Sequence, residues 1–124
     1  MKVINTTNAP AAIGPYSQAM VTGNLVYTSG QIAINPAVGK VEATTIEGQT
    51  EQVMKNLKAV LEAAGSSMEK VVKTTCFLAD MGDFAAFNGI YAQNFPQKPA
   101  RSCVAVKTLP ANVLVEVEAI AEVE

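Results

Sequence analysis

The chain has 124 residues, a net charge of −2, 49% hydrophobic and only 16% charged residues. That length allows one domain, spanning 1–124, with a core of its own but with stability to gain from self-association. Slight acidity without a Lys/Arg cluster argues against a nucleic-acid binder, which needs several cations to displace counterions from phosphates.

From Val3 to Gly39 there is no Asp, Glu, Lys or Arg. The stretch is too rich in Asn, Thr, Ser, Gln, Gly and Pro for a membrane span, which needs about 20 mostly apolar residues. Asn5-Thr6-Thr7-Asn8 likewise breaks the apolar run that a signal peptide requires, so a cytoplasmic protein is expected. A charge-free third of a chain belongs in a core, a subunit contact or the lining of a pocket. Within it, the β-prone run 25–29 follows the turn-like Thr22-Gly23-Asn24. Residues 31–35 are expected to continue that strand beyond a kink or bulge at Gly30, until Asn35-Pro36 ends it.

The spacing of Ile46, Val53, Leu57, Val60, Leu61 and Ala64 predicts a helix over 44–64, with Thr44 and Glu47 as a capping box and Gly65 as its stop. Residues 71–78 read as a strand. Asp80 then caps a second helix that carries Phe84, Phe87, Tyr91 and Phe95 on one face, a stripe expected to pack into the core. Two further strands, 101–107 and 113–123, are joined through Thr108-Leu109-Pro110-Ala111 and read as a terminal hairpin. Pairing Lys107 with Asn112 sets Val106 against Val113 and Val104 against Val115. The same register sets Cys103 across from Glu116 and Arg101 across from Glu118, gathering all four on one surface. The element order implies an α+β fold with both helices on one face of a sheet.

The chain contains no histidine, two cysteines and a single arginine, Arg101. Without histidine the Ser-His-Asp and Cys-His hydrolytic arrangements are absent, and neither a Walker phosphate loop nor a GxGxxG turn occurs. Cys76 and Cys103 have no CxxC spacing, a zinc site is not expected, and both thiols are expected reduced. What remains is an Arg suited to gripping a planar carboxylate through parallel hydrogen bonds. A Glu in a partly dry cleft can exchange protons with bound water or with a substrate nitrogen. Such a set suits a small carboxylic acid whose neighbouring carbon is attacked by water. From spacing alone, an ordinary cross-strand ion pair worth roughly 0.2–1 kcal/mol also accounts for Arg101 and Glu118. Cys103 could be a small apolar filler, and Tyr16 ordinary loop packing.

Several segments together resemble the RidA/YjgF family of enamine/imine deaminases: NAPAAIGPYSQ at 8–18, TSGQI at 28–32, EAAG at 62–65, VKTT at 72–75, PARSCV at 99–104 and VEVEAIA at 115–121. They occur in the family's order over nearly the whole chain. The resemblance implies a chorismate-mutase-like fold with a single mixed sheet and two helices on one face. It also implies a homotrimer with sites in the clefts between subunits, and no cofactor. By position it makes Arg101 the anchor of the substrate carboxylate and Glu116, rather than Glu118, the group that positions water and handles protons. Tyr16, Ser29, Gly30, Asn88 and Cys103 correspond to residues lining the pocket. The implied reaction converts 2-aminoacrylate (2-iminopropanoate) or 2-iminobutanoate, released by pyridoxal-phosphate dehydratases, to a 2-oxo acid and ammonia. A trimer that binds a 2-oxo acid without turnover is the principal alternative. Ribonuclease activity, attributed to relatives, is disfavoured by the acidic balance and the missing histidine.

Overall fold

The computed structural model describes residues 1–123. Its strands and helices in chain order are β1 (Lys2–Ile4), β2 (Ala19–Thr22), β3 (Leu25–Thr28), β4 (Ile34–Asn35), β5 (Lys40–Val41), α1 (Ile46–Ala63), β6 (Val71–Leu78), α2 (Phe84–Asn94), β7 (Ala100–Ala105) and β8 (Val115–Glu122). Six strands form a sheet in the order β1-β2-β3-β8-β6-β7. Every pairing in it is antiparallel except β6 with β7, so the sheet is mixed.

The N-cap of α1 lies one residue later than predicted. Thr45, not Thr44, accepts a hydrogen bond from the Gly48 amide at 3.1 Å. Glu47 is therefore the second helical residue, too early to close a capping box. At the far end the Gly65 amide donates to Glu62 O and the Ser66 amide to Leu61 O, with Gly65 at φ 81°. This is the paired closure that a left-handed glycine permits. Val53, Leu57, Val60 and Leu61 are fully buried against the sheet, on the face formed by Val26, Cys76, Leu78, Val115, Val117 and Ala121. Leu57 alone, buried from water, contributes roughly 1.5–3 kcal/mol of transfer free energy. Both helices cover this one face, as expected. Asp80 accepts from the Gly82 amide and caps a short 3₁₀ turn that leads into α2.

Gly30 sits at an irregularity, also as expected. Tyr27 pairs with Ile120, whereas Gln31 bridges to Val117, a slip of one residue between the two points. Residues 34–35 do not prolong β3, however. They turn back through Asn35, whose side chain accepts from the Ala37 amide, and pair with β5 in a separate two-stranded ribbon.

The predicted terminal hairpin does not form. β6 lies between β7 and β8: Arg101 pairs with Thr74 and Cys103 with Cys76, while on the other side Thr75 pairs with Glu118 and Phe77 with Glu116. The physical reason is burial. Val115, Val117, Ala119 and Ala121 of β8 alternate with half-buried residues, which suits an interior strand. β7 is mostly exposed and suits an edge. α2 supplies the crossover that a parallel return beside β6 requires.

Candidate active site

Arg101 points from the edge strand to the helix-covered face, in the row of Thr74 and Ala119. Its Nη1 donates to Asn88 Oδ1 at 2.7 Å. The guanidinium carbon lies 4.8 Å from the Tyr91 ring centre and 5.4 Å from that of Phe84. Rings at those distances attract a cation through their quadrupole and hold the planar group in place. No carboxylate among the described residues pairs with it, so most of its N–H donors are unspent. Beside it runs a groove of about 330 Å³ lined by Asn88, Tyr91, Ala92, Phe95, Pro96 and Pro99. Tyr91 is itself fixed by a 2.7 Å hydrogen bond between its hydroxyl and Thr74 Oγ1. Burial, only partly opposed by that bond, raises its pKa.

Glu116 occupies the opposite face. Its neighbour across β6 is Phe77, and Phe77's partner on β7 is Val104, not Arg101. The Glu116 side chain lies over Gly30: a Cβ added there would collide with Oε2 and come within 2.8 Å of Cδ. Only glycine leaves room for the carboxylate in this position. Burial first, then the charge of Glu118, push the Glu116 carboxyl above its ordinary value. A cavity of about 390 Å³ surrounds it, lined among others by Tyr16, Ser29, Gly30, Ile32 and Pro110. Ser29 is held by two bonds, its Oγ donating to Ser17 O at 2.6 Å and its amide to Gln18 O at 2.9 Å. Tyr16 is half exposed at the mouth of this cavity.

The predicted residues thus fall into two groups. Tyr16, Ser29, Gly30 and Glu116 converge on one cavity, while Asn88, Arg101 and Cys103 share the helix side of β7. The hairpin register that gathered Arg101, Cys103, Glu116 and Glu118 on one surface is overturned, because β6 separates the strands and the parity of the faces differs. Arg101 and Glu116 lie two strands apart across the sheet and about 10 Å apart along it. Within one chain they cannot act on the same small molecule. Sequence reasoning assigned Phe84 and Tyr91 to the core alone; their second role beside Arg101 could be anticipated only from an arginine facing that stripe. It also missed two anchors. The buried Asn56 amide donates to Ile32 O and Ile34 O at 3.0 and 2.8 Å, and Gln18 Nε2 donates to Pro10 O at 2.7 Å, tying down the loops that bound the Glu116 cavity. Among the described residues no group of three or more His, Cys, Asp or Glu is placed to hold a metal, and no helix is long and apolar enough to cross a membrane.

Comparison with known proteins adds to this geometry. The sequence profile of a family described as Endoribonuclease L-PSP matches residues 6–123. A Pyrococcus horikoshii protein described as a RutC family protein is 52% identical over 121 residues, covering 97% of this chain and 96% of its own. The chloroplastic Reactive Intermediate Deaminase A of Arabidopsis thaliana is 49% identical over 121 residues, covering 97% of this chain and 65% of that protein. Among solved structures, Escherichia coli TdcF with bound serine matches with a TM-score of 0.94 at 42% identity, over 100% of both chains.

Proposed function

Because the chain belongs to the RidA/YjgF family, whose sequence profile is described as Endoribonuclease L-PSP, we propose that it hydrolyses reactive enamines and imines of small amino acids to 2-oxo acids and ammonia. The observation that carries this reading is Arg101, fixed by Asn88 and two aromatic rings yet paired with no carboxylate among the described residues. A substrate carboxylate completes it through the paired hydrogen bonds a guanidinium favours. The serine in TdcF is an amino acid with such a carboxylate.

Arg101 and Glu116 face away from each other, so the working site is built from two copies, as in a trimer with clefts between subunits. Self-association has a surface to use. On the face without helices, Val3, Met20, Tyr27 and Ile120 form one row across the strands, with Tyr27 43% and Val3 51% exposed. Val104, 48% exposed, adds to the same face. Contiguous apolar exposure of this kind marks contact surfaces.

In the composite cleft Arg101 fixes the carboxylate and with it the direction of the C=N bond, an entropic contribution to the rate. Glu116 of the partner subunit holds a water against the imine carbon, accepts its proton as the C–O bond forms, and returns a proton to the departing nitrogen. A carboxyl whose pKa is raised by burial is well matched to that exchange. Ser29 and the backbone around Gly30 bound the same cavity, with Tyr16 as a further wall. RNA cleavage fits these residues poorly, since the chain has no histidine and a net charge of −2.

The test couples a threonine dehydratase to the protein and follows decay of 2-iminobutanoate. Decay is expected to accelerate with the parent and to return to the uncatalysed rate with Arg101→Ala. If the parent does not accelerate it yet binds 2-oxobutanoate, the protein is a binding module instead.

A further inference from the structure

Cys76 and Cys103 are direct partners on the parallel strands β6 and β7. Neighbouring strands lie about 4.8 Å apart, inside the Cα separation of about 4.4–6.8 Å that a disulfide spans. Both side chains are on the helix-covered face, in the row of Val117. The Cys76 thiol donates to Thr74 Oγ1 at 3.8 Å, the threonine one row along the same face. Cys76 is completely buried and Cys103 only partly, so Cys103 is the thiol that solvent reaches. β7 is an edge strand, paired on one side only, so a single hydrogen-bonded ladder opposes an adjustment of its separation from β6.

We propose that Cys76 and Cys103 form a reversible cross-strand disulfide whose preferred Cα separation, about 5.5–6 Å, spreads β7 from β6 and moves Arg101 out of its working position. Arg101 stands two residues before Cys103 on the same strand and face, so a shift of β7 at Cys103 is transmitted to it. The chemistry needs a disulfide oxidant such as glutathione disulfide. The Cys103 thiolate attacks one of its sulfurs, forming a mixed disulfide and releasing glutathione. Cys76, losing its proton, then attacks the Cys103 sulfur and expels a second glutathione. The protein loses two protons and two electrons, and the oxidant becomes two thiols. Burial raises both pKa values, Cys76 to about 12 and Cys103 with partial opposition from Arg101, so exchange is slow and responds to sustained oxidation.

The consequence for turnover rests on the function proposed above, whereas the disulfide itself does not. Folded parent protein is equilibrated in glutathione redox buffers, acid-quenched, alkylated and weighed by intact mass spectrometry, with peptide mapping of the link. In oxidising buffer the parent is expected to lose the mass of two hydrogens, with both thiols blocked together and both restored by dithiothreitol. Cys76→Val, an apolar replacement in an apolar site, is expected to stop at a glutathione adduct on Cys103. Two unmodified thiols in the parent, or only that adduct, would overturn the proposal. 2-Oxobutanoate binding is then measured calorimetrically on oxidised and reduced parent. A loss of about ten- to a hundredfold on oxidation, the scale of a 1 Å misplacement, is expected, and absent in Cys76→Val. Unchanged binding in a parent shown to carry the disulfide would overturn the coupling to Arg101. Absence of imine turnover in the reduced protein would instead count against the deaminase reading and leave the mass result standing.

Discussion

Arg101 and Glu116 are opposite solutions to placing a charge in a small protein. Arg101 is supported by aromatic faces and one amide, so its orientation is set before any ligand arrives. Arg101→Lys keeps the charge but loses the planar fork. Removal of charge-assisted bonds worth about 1.5–3 kcal/mol is expected to lower kcat/KM for 2-iminobutanoate about ten- to a hundredfold, measured in the coupled assay. Glu116 is held in a setting that disfavours its charge. Its folded pKa lies above the unfolded one, so between those values the folded chain binds more protons and stability falls as pH rises. Glu116→Gln removes that penalty. At neutral pH its Tm should exceed the parent's, the gap closing as pH drops through the window, while imine hydrolysis is lost. Gly30→Ala displaces the same carboxylate by contact. It should reduce turnover with little effect on 2-oxobutanoate binding at Arg101.

Each element's interior was legible in the sequence, and its neighbours were not. The helical period from Ile46 to Leu61 and the alternation from Val115 to Ala121 identify α1 and β8 because burial imposes both patterns. The strand β8 pairs with was misjudged, since matching two patterns across a loop ignores a third strand able to bury both faces better. Arg101 was thereby set beside Glu118, whereas it pairs with Thr74. Helix α1 also carries information that no period reveals. Asn56 is fully buried to hold the carbonyls of Ile32 and Ile34, just beyond Gly30. Asn56→Ala leaves those carbonyls without their buried donor, which should cost about 1–3 kcal/mol in urea unfolding. It should also loosen the cavity around Glu116.

At the scale of the whole molecule, the charge-free stretch from Val3 to Gly39 now has a location. It supplies β1, β2 and β3, whose uncovered face bears Val3, Met20 and Tyr27, and it lines the Glu116 cavity with Tyr16, Ser29 and Gly30. The family resemblance implies a set of site residues, and the sheet places Arg101 and Glu116 of one chain on opposite faces. Tyr27→Asp puts a charge on the exposed row at a small cost to the fold, within about 0.5 kcal/mol for a surface position. It is expected to sediment as a monomer and to be inactive with Arg101 and Glu116 intact. The most direct measurement mixes two inactive proteins, Arg101→Ala and Glu116→Ala, under conditions where subunits exchange, and assays imine hydrolysis. A site built from two copies predicts that the mixture recovers activity neither protein has alone, because some clefts regain both groups. A mixture that stays inactive after exchange has been verified, or a single variant that retains the parent's rate, would contradict it.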